Sequence, residues 1–176
     1  MATIKFLAGF ICLAFIGRNW DIGSRIIKEK EETGYERVIR IARSQIGIRE
    51  TACQNCGIAI AGYLTAVGFK TPQPYCAAFV SWVHGKAGYL RPRTAWSPSL
   101  FPASRLTKEP KPGIVYGLYY PSLKRIGHCG LLESLQGDFL QGIEANTNVA
   151  GSREGDGVWR KIRHKRTIHC YADWVK

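Results

Sequence analysis

Pro72-Gln73-Pro74-Tyr75-Cys76-Ala77-Ala78-Phe79-Val80-Ser81-Trp82-Val83-His84-Gly85-Lys86-Ala87-Gly88 is the stretch on which the fold turns. Its two prolines forbid regular structure at the start. From about Cys76 to Ala87 the spacing predicts a helix, closed by Gly88. Upstream of it the chain reads as helix. Thr33-Gly34-Tyr35-Glu36 has capping-box spacing. After it, Tyr35, Val38, Ile39, Ala42 and Ile46 recur at helical spacing, with Arg37, Arg40 and Arg43 outside. Ile58–Val67 is a second helix, with Ile60, Tyr63, Leu64 and Val67 on one face and Gly68 as its stop.

Downstream the pattern changes. Tyr89–Pro112 is rich in Pro, Ser and Arg and reads as a long loop. Ile114–Tyr120, Gly130–Leu135, Phe139–Ile143, Val158–Ile162 and Ile168–Trp174 are short β-branched or aromatic runs. Gly, Asp and Asn separate them, as expected of strands in an antiparallel sheet. Gln136-Gly137-Asp138 is a hairpin turn. Helices first and strands second give an α+β fold, with N-terminal helices packed on the sheet.

The chain has 176 residues, which fits one domain. Hydrophobic residues are 45% and charged residues 22%, so wholesale disorder is excluded. No run of about 18 apolar residues occurs, which excludes an ordinary membrane-spanning helix. The net charge of +12 favours an anionic partner, whether nucleic acid, membrane surface or acidic wall polymer.

Residues 1–17 read as a targeting segment. Lys5 precedes the apolar run Phe6–Gly17, and Arg18 ends it. That is the order of a secretory signal peptide. An uncleaved N-terminal anchor with membrane association, or a buried helix, are the other readings. Residues 18–34 form a linker with the polar, charge-dense stretch Asp21–Thr33, and residues 35–176 form the domain. The expected location is exported, in the periplasm or extracellular space.

Three residues combine into a chemistry. Cys76 opens a helix, where the dipole and unpaired N–H groups favour thiolate, the reactive form. His128 lies at the start of a strand in Ile126-Gly127-His128-Cys129-Gly130. Glu144 ends the next strand in Gly142-Ile143-Glu144-Ala145-Asn146-Thr147-Asn148. Nucleophile on a helix, base on a strand and acidic orienter on the next strand follow triad logic. Singly, each has a plainer reading: a buried small hydrophobe, a core or turn histidine, a solvated acid.

Four segments together resemble the CHAP family, the cysteine- and histidine-dependent amidohydrolases/peptidases of the papain-like, NlpC-type superfamily. They are Tyr75–Trp82, Pro112-Gly113-Ile114-Val115, Gly127–Glu133 and Ile143–Asn148, and the resemblance spans about residues 35–174. It implies a papain-like fold and hydrolysis of an amide bond in bacterial peptidoglycan. That bond would be the N-acetylmuramoyl-L-alanine amide or one within the stem or cross-bridge peptide. It implies Cys76 as nucleophile, His128 as general base and then acid, Glu144 as orienter and Asn146 as a polar residue of the same site. The Cys76 N–H would help bind the oxyanion, and a thioester would form and be hydrolysed. The family often has Trp before the nucleophile, where this chain has Tyr75. No cofactor or metal is expected, and a monomer is. A secretion or transfer machine, or an immunity protein, would be a partner of such a hydrolase. The alternatives are a catalytically silent wall-binding module of the same fold and a cysteine amidase on a non-wall amide.

Gln73 is either a second oxyanion donor or an idle loop residue. Cys53-Gln54-Asn55-Cys56 reads as a local disulfide or as free thiols, the disulfide favoured, ahead of a zinc site with His169 and Cys170 or a redox motif. Cys129 and Cys170 either pair or stay buried as thiols. Arg160–Arg166, the densest basic run, is a solvated strand face or an attraction to the anionic wall. It lacks the interleaved aromatics of a nucleic-acid binder, so no nucleic acid is expected. Trp96–Pro102 either caps the core or lines a substrate groove.

Overall fold

The computed structural model describes residues 31–176. Residues 1–17, read above as a targeting segment, and residues 18–30 of the expected linker lie outside the described residues. Helix α1 is Gly34–Arg43, and its capping box is present. Thr33 Oγ1 accepts from the Glu36 N–H at 3.2 Å, and Glu36 accepts from the Thr33 N–H at 2.8 Å. The buried stripe is Val38, Ile39 and Ala42. Helix α2 is Ile58–Ala66 and helix α3 is Cys76–Lys86. α3 is apolar nearly all round, because it is enclosed nearly all round: Ala77, Ala78, Phe79, Val80 and Val83 are fully buried. Burying a side chain the size of Phe79 contributes about 1.5–3 kcal/mol. Among the described residues no helix is long and apolar enough to cross a membrane.

Six strands form one antiparallel sheet in the order β1-β6-β2-β3-β4-β5. They are β1 Leu106–Thr107, β2 Val115–Tyr120, β3 Arg125–Gln136, β4 Phe139–Thr147, β5 Gly157–His164 and β6 Cys170–Ala172. The fold is therefore α+β, three helices against an antiparallel sheet. The β3–β4 connection is the expected tight turn, with Gly137 at φ +55°.

Three boundaries differ from the sequence reading. The long loop Tyr89–Pro112 contains short 3₁₀ turns at Ser97–Leu100 and Ala103–Arg105, and the edge strand β1. β3 begins at Arg125, so His128 lies inside the strand and not at its start. β4 continues to Thr147, so Glu144 is also interior. The reason is tertiary: Arg125–Cys129 pairs with Gly117–Tyr120, and Glu144 and Ala145 pair with Trp159 and Val158. Burial overrides the weak strand propensity of Gly127, His128 and Glu144.

The sheet separates two apolar clusters by the two-residue alternation of its strands. Val115, Cys129, Leu131, Ile143, Ala145 and Val158 face the helices. Ile114, Tyr116, Leu118, Leu132 and Leu140 build the second cluster, with Tyr35, Tyr120, Ile168 and Tyr171 against it. Cys53 and Cys56 form a disulfide before α2. Cys76, Cys129 and Cys170 are free thiols, so Cys129 and Cys170 do not pair.

Candidate active site

Cys76 is the first residue of α3, preceded by Tyr75, whose backbone is non-helical. No side chain caps this end, so first-turn N–H groups stay available. The thiol is only 5% exposed. It borders a cavity of about 150 Å³ that is also lined by Gln73, Trp96, Ser97, Arg125, Gly127 and Arg153. Ser97 Oγ lies 3.4 Å from Cys76 Sγ.

His128 and Glu144 are both fully buried. His128 Nε2 lies 2.9 Å from Glu144 Oε2. An ionised carboxylate only accepts, so Nε2 carries the hydrogen and donates. That leaves Nδ1, which is buried and makes no hydrogen bond that meets ordinary geometry. The Cys76 thiol and the imidazole nevertheless act on each other electrostatically. The imidazole thus interacts with the thiol and is hydrogen-bonded to the carboxylate.

Glu144 is held from three sides. Besides His128 it accepts from the Tyr116 hydroxyl at 2.6 Å on Oε1. Arg163 Nε and Nη2 donate to Oε1 and Oε2 at 2.8 and 2.7 Å. Tyr116 reaches Glu144 because two neighbours lack side chains. A Cβ on Gly130 would sit 2.6 Å from Tyr116 Cζ, and one on Gly142 would sit 2.6 Å from Tyr116 Cε1. Glycines on β3 and β4 thus open the slot in which the phenol crosses the sheet.

The electrostatics follow from these contacts. The Cys76 thiol is held well below its ordinary range, first by the neighbouring Cys129 thiol, against burial, with His128 and Ser97 adding to it. Cys129 moves the opposite way: burial and the neighbouring Cys76 push it well up, so it stays a thiol and a donor. Burial alone would make His128 less basic, but Cys76 and Glu144 outweigh it and raise the imidazole from near 6.5 to about 9. Burial likewise opposes ionisation of Glu144, yet Arg163 and His128 hold it at about 2. The arrangement therefore favours a thiolate beside an imidazolium at neutral pH.

Asn146 is buried with φ +59°, the left-handed region. Its Nδ2 donates to the Arg153 carbonyl at 3.1 Å. No hydrogen bond joins it to Cys76, His128 or Glu144 among the described residues. Thr147 Oγ1 donates to the Ser152 carbonyl at 2.5 Å. Together these side chains fold the β4–β5 loop back and bring Arg153 to the cleft. Gln73 borders the same cavity. Trp96 and Ser97 line it too, whereas Leu100 is fully buried, so Trp96–Pro102 serves both the groove and the core.

Sequence reasoning missed Tyr116, Arg163 and Cys129 as site residues. Arg163 lay in a basic run read as a solvated face or a wall contact. The structure uses two of that run internally: Arg163 on Glu144, and Arg160 on buried Glu133 at 2.6 and 2.9 Å. The spacing of Arg160 and Arg163 on one strand carries no signal for this. The two glycines, in Cys129-Gly130 and Gln141-Gly142, were the available hint that something bulky crosses the sheet.

No protein-family model matches the chain, and no curated protein matches it. Among solved structures it is similar to the crystal structure of Ly7917, with a TM-score of 0.47 and 16% identity over 78% of this chain and 60% of that chain. It is also similar to the crystal structure of Ly7917 with the hydrolyzing product of MDP, with a TM-score of 0.46 and 18% identity over 78% and 61%. The chain spans about three fifths of the length of those structures.

Proposed function

We propose that this protein is a cysteine hydrolase of the CHAP kind that cuts an amide bond of bacterial peptidoglycan. The bond is the N-acetylmuramoyl-L-alanine amide or one in the stem or cross-bridge peptide. The observation that carries the reading is the set Cys76 at the head of α3, His128 in electrostatic interaction with it, and Glu144 on His128 Nε2 at 2.9 Å. The four sequence segments that resemble the family supply the substrate class.

In this reading the Cys76 thiolate attacks the amide carbonyl carbon. The carbonyl electron pair moves to oxygen, and N–H groups at the head of α3 receive that charge, with Gln73, which borders the same cavity, as a candidate second donor. Protonated His128 gives its Nδ1 proton to the leaving nitrogen as the C–N bond breaks, and a thioester on Cys76 remains. His128 Nδ1 then takes a proton from water as the oxygen attacks the thioester. Cys76 departs as thiolate and the proton stays on His128, which restores the starting pair. Glu144 keeps Nε2 protonated and the ring aligned throughout. Asn146 positions the loop that carries Arg153. Residues 1–17 would export the domain, and its basic charge would favour the anionic wall.

The test is digestion of purified peptidoglycan by the full chain, beside Cys76→Ala, with fragments read by mass spectrometry. New fragments from the wild type alone are expected, and their masses name the bond. Absence of fragments from the folded protein, across walls of several cross-link types, would overturn the reading in favour of wall binding or a non-wall amide.

A further inference from the structure

Two arginines, Arg125 and Arg153, border the cavity over Cys76, and no Asp or Glu is among its lining residues. Arg125 opens β3 directly after Lys124, whose φ of +50° turns the chain. Its guanidinium lies 4.0 Å from the centre of the Trp96 ring, and Nη1 donates to the Ile126 carbonyl at 3.0 Å. Stacking and this bond orient the planar fork and leave further N–H donors unused. Arg153 comes from the other side, on the loop that Asn146 and Thr147 fold back. Among the described residues its ion pair is with exposed Glu154 at 2.6 Å, a surface pair that costs little to exchange. Two cationic residues thus border a small cavity beside the thiol, which favours an anionic group there.

We propose that Arg125 and Arg153 form a carboxylate-binding subsite, so that the preferred substrate is an acidic peptide with a free carboxylate close to the amide that Cys76 attacks. This rests on Cys76 being the nucleophile and adds which substrates it accepts. Arg forks bind carboxylates through paired N–H···O bonds, which also fixes the orientation of the scissile amide. Trp96, itself 52% exposed, adds an aromatic ring beside the charge.

The experiment compares native peptidoglycan with the same material after its free carboxyls are converted to carboxamides by carbodiimide and ammonium. Wild-type full chain is expected to release amine ends about tenfold faster or more from the acidic form, the scale of one hydrogen-bonded charge. In Arg125→Gln/Arg153→Gln the ratio should fall to near one. Lys165→Gln/Arg166→Gln removes two charges outside the cavity and should keep the wild-type ratio. A second arm needs neither turnover nor the double variant. Cys76→Ala full chain is titrated with a soluble muropeptide in acid and amide forms, and the acid should bind about tenfold tighter.

Equal rates and equal affinities for the two forms would overturn the subsite and leave the hydrolase reading intact. Loss of the ratio in the Lys165/Arg166 control as well would overturn it in favour of long-range attraction. Tighter binding of the acid with cleavage of neither form would support the subsite and overturn the hydrolase reading.

Discussion

Arg163 on β5 donates two hydrogen bonds, at 2.8 and 2.7 Å, to Glu144 on β4, and so closes the carboxylate that orients His128. Glu144 is fully buried, while the Arg163 side chain is 18% exposed. A buried carboxylate with hydrogen bonds from Arg163, Tyr116 and His128 has little freedom to rotate. The consequence for catalysis is an imidazole whose plane is set before substrate arrives.

Removing Arg163 should therefore act first on stability. Arg163→Ala removes the two paired bonds and leaves buried Glu144 with His128 and Tyr116 alone, a loss of up to about 3–5 kcal/mol. Arg163→Lys should recover only part, since an ammonium cannot reproduce the paired bonds. Urea unfolding of the three proteins measures this. The pH dependence has a defined sign. Glu144 is held at about 2, below its ordinary value of 4.5. Its contribution is fully present above about pH 4.5 and is lost as pH falls towards 2.

Tyr116 depends on the two glycines beneath it. Tyr116→Phe should cost about 1–3 kcal/mol by leaving one Glu144 lone pair unpaired in the interior. Gly142→Ala should cost about the same or more, because the new methyl displaces the ring. Thermal melting checks both, and an unchanged melting temperature for Gly142→Ala would contradict the slot.

The pH profile of hydrolysis should be bell-shaped. Activity rises as Cys76 becomes thiolate, well below the ordinary thiol range, and falls near pH 9 as His128 loses its proton. Glu144→Gln removes the carboxylate that supports the imidazolium, so the alkaline limb should move to lower pH. Turnover should drop by about 10⁴-fold, as when the acid of a triad becomes an amide. Initial rates on a soluble muropeptide from pH 4 to about 10 read both effects.

The buried Cys129 thiol beside Cys76 favours its thiolate. Cys129→Ala should shift the acid limb of the profile upward while leaving the alkaline limb near 9. Cys129→Ser keeps a hydroxyl donor and should restore part of the shift. An acid limb that ignores both substitutions would contradict the hydrogen bond as its cause.

The helices and the antiparallel sheet were legible because each rests on a local signal. Thr33 and Glu36 form their capping box, and the α3 boundary at Cys76 follows from the prolines before it. Cys76, His128 and Glu144 were legible as an ordered set of residue types. Their supports were not. Tyr116 and Arg163 gain their roles only when β2 and β5 flank β3 and β4, a relation of sheet order that no short spacing encodes. The strand interiors at His128 and Glu144 were missed for the same reason, since cross-strand pairing overrides local propensity. Asn146 was legible as part of the motif, but its bond to Arg153 depends on a left-handed turn that the sequence does not display.

The most direct test of an activated nucleophile is the rate of Cys76 alkylation by iodoacetamide against pH, read at the Cys76 peptide by mass spectrometry. In the wild type, fast alkylation should already be established in the neutral range, with a further change near pH 9 as His128 deprotonates. In His128→Ala the rate should rise only towards ordinary thiol pH. A wild-type Cys76 that reacts like an ordinary thiol titrating near 9, unchanged by His128→Ala, would contradict the thiolate–imidazolium pair on which the proposed mechanism stands.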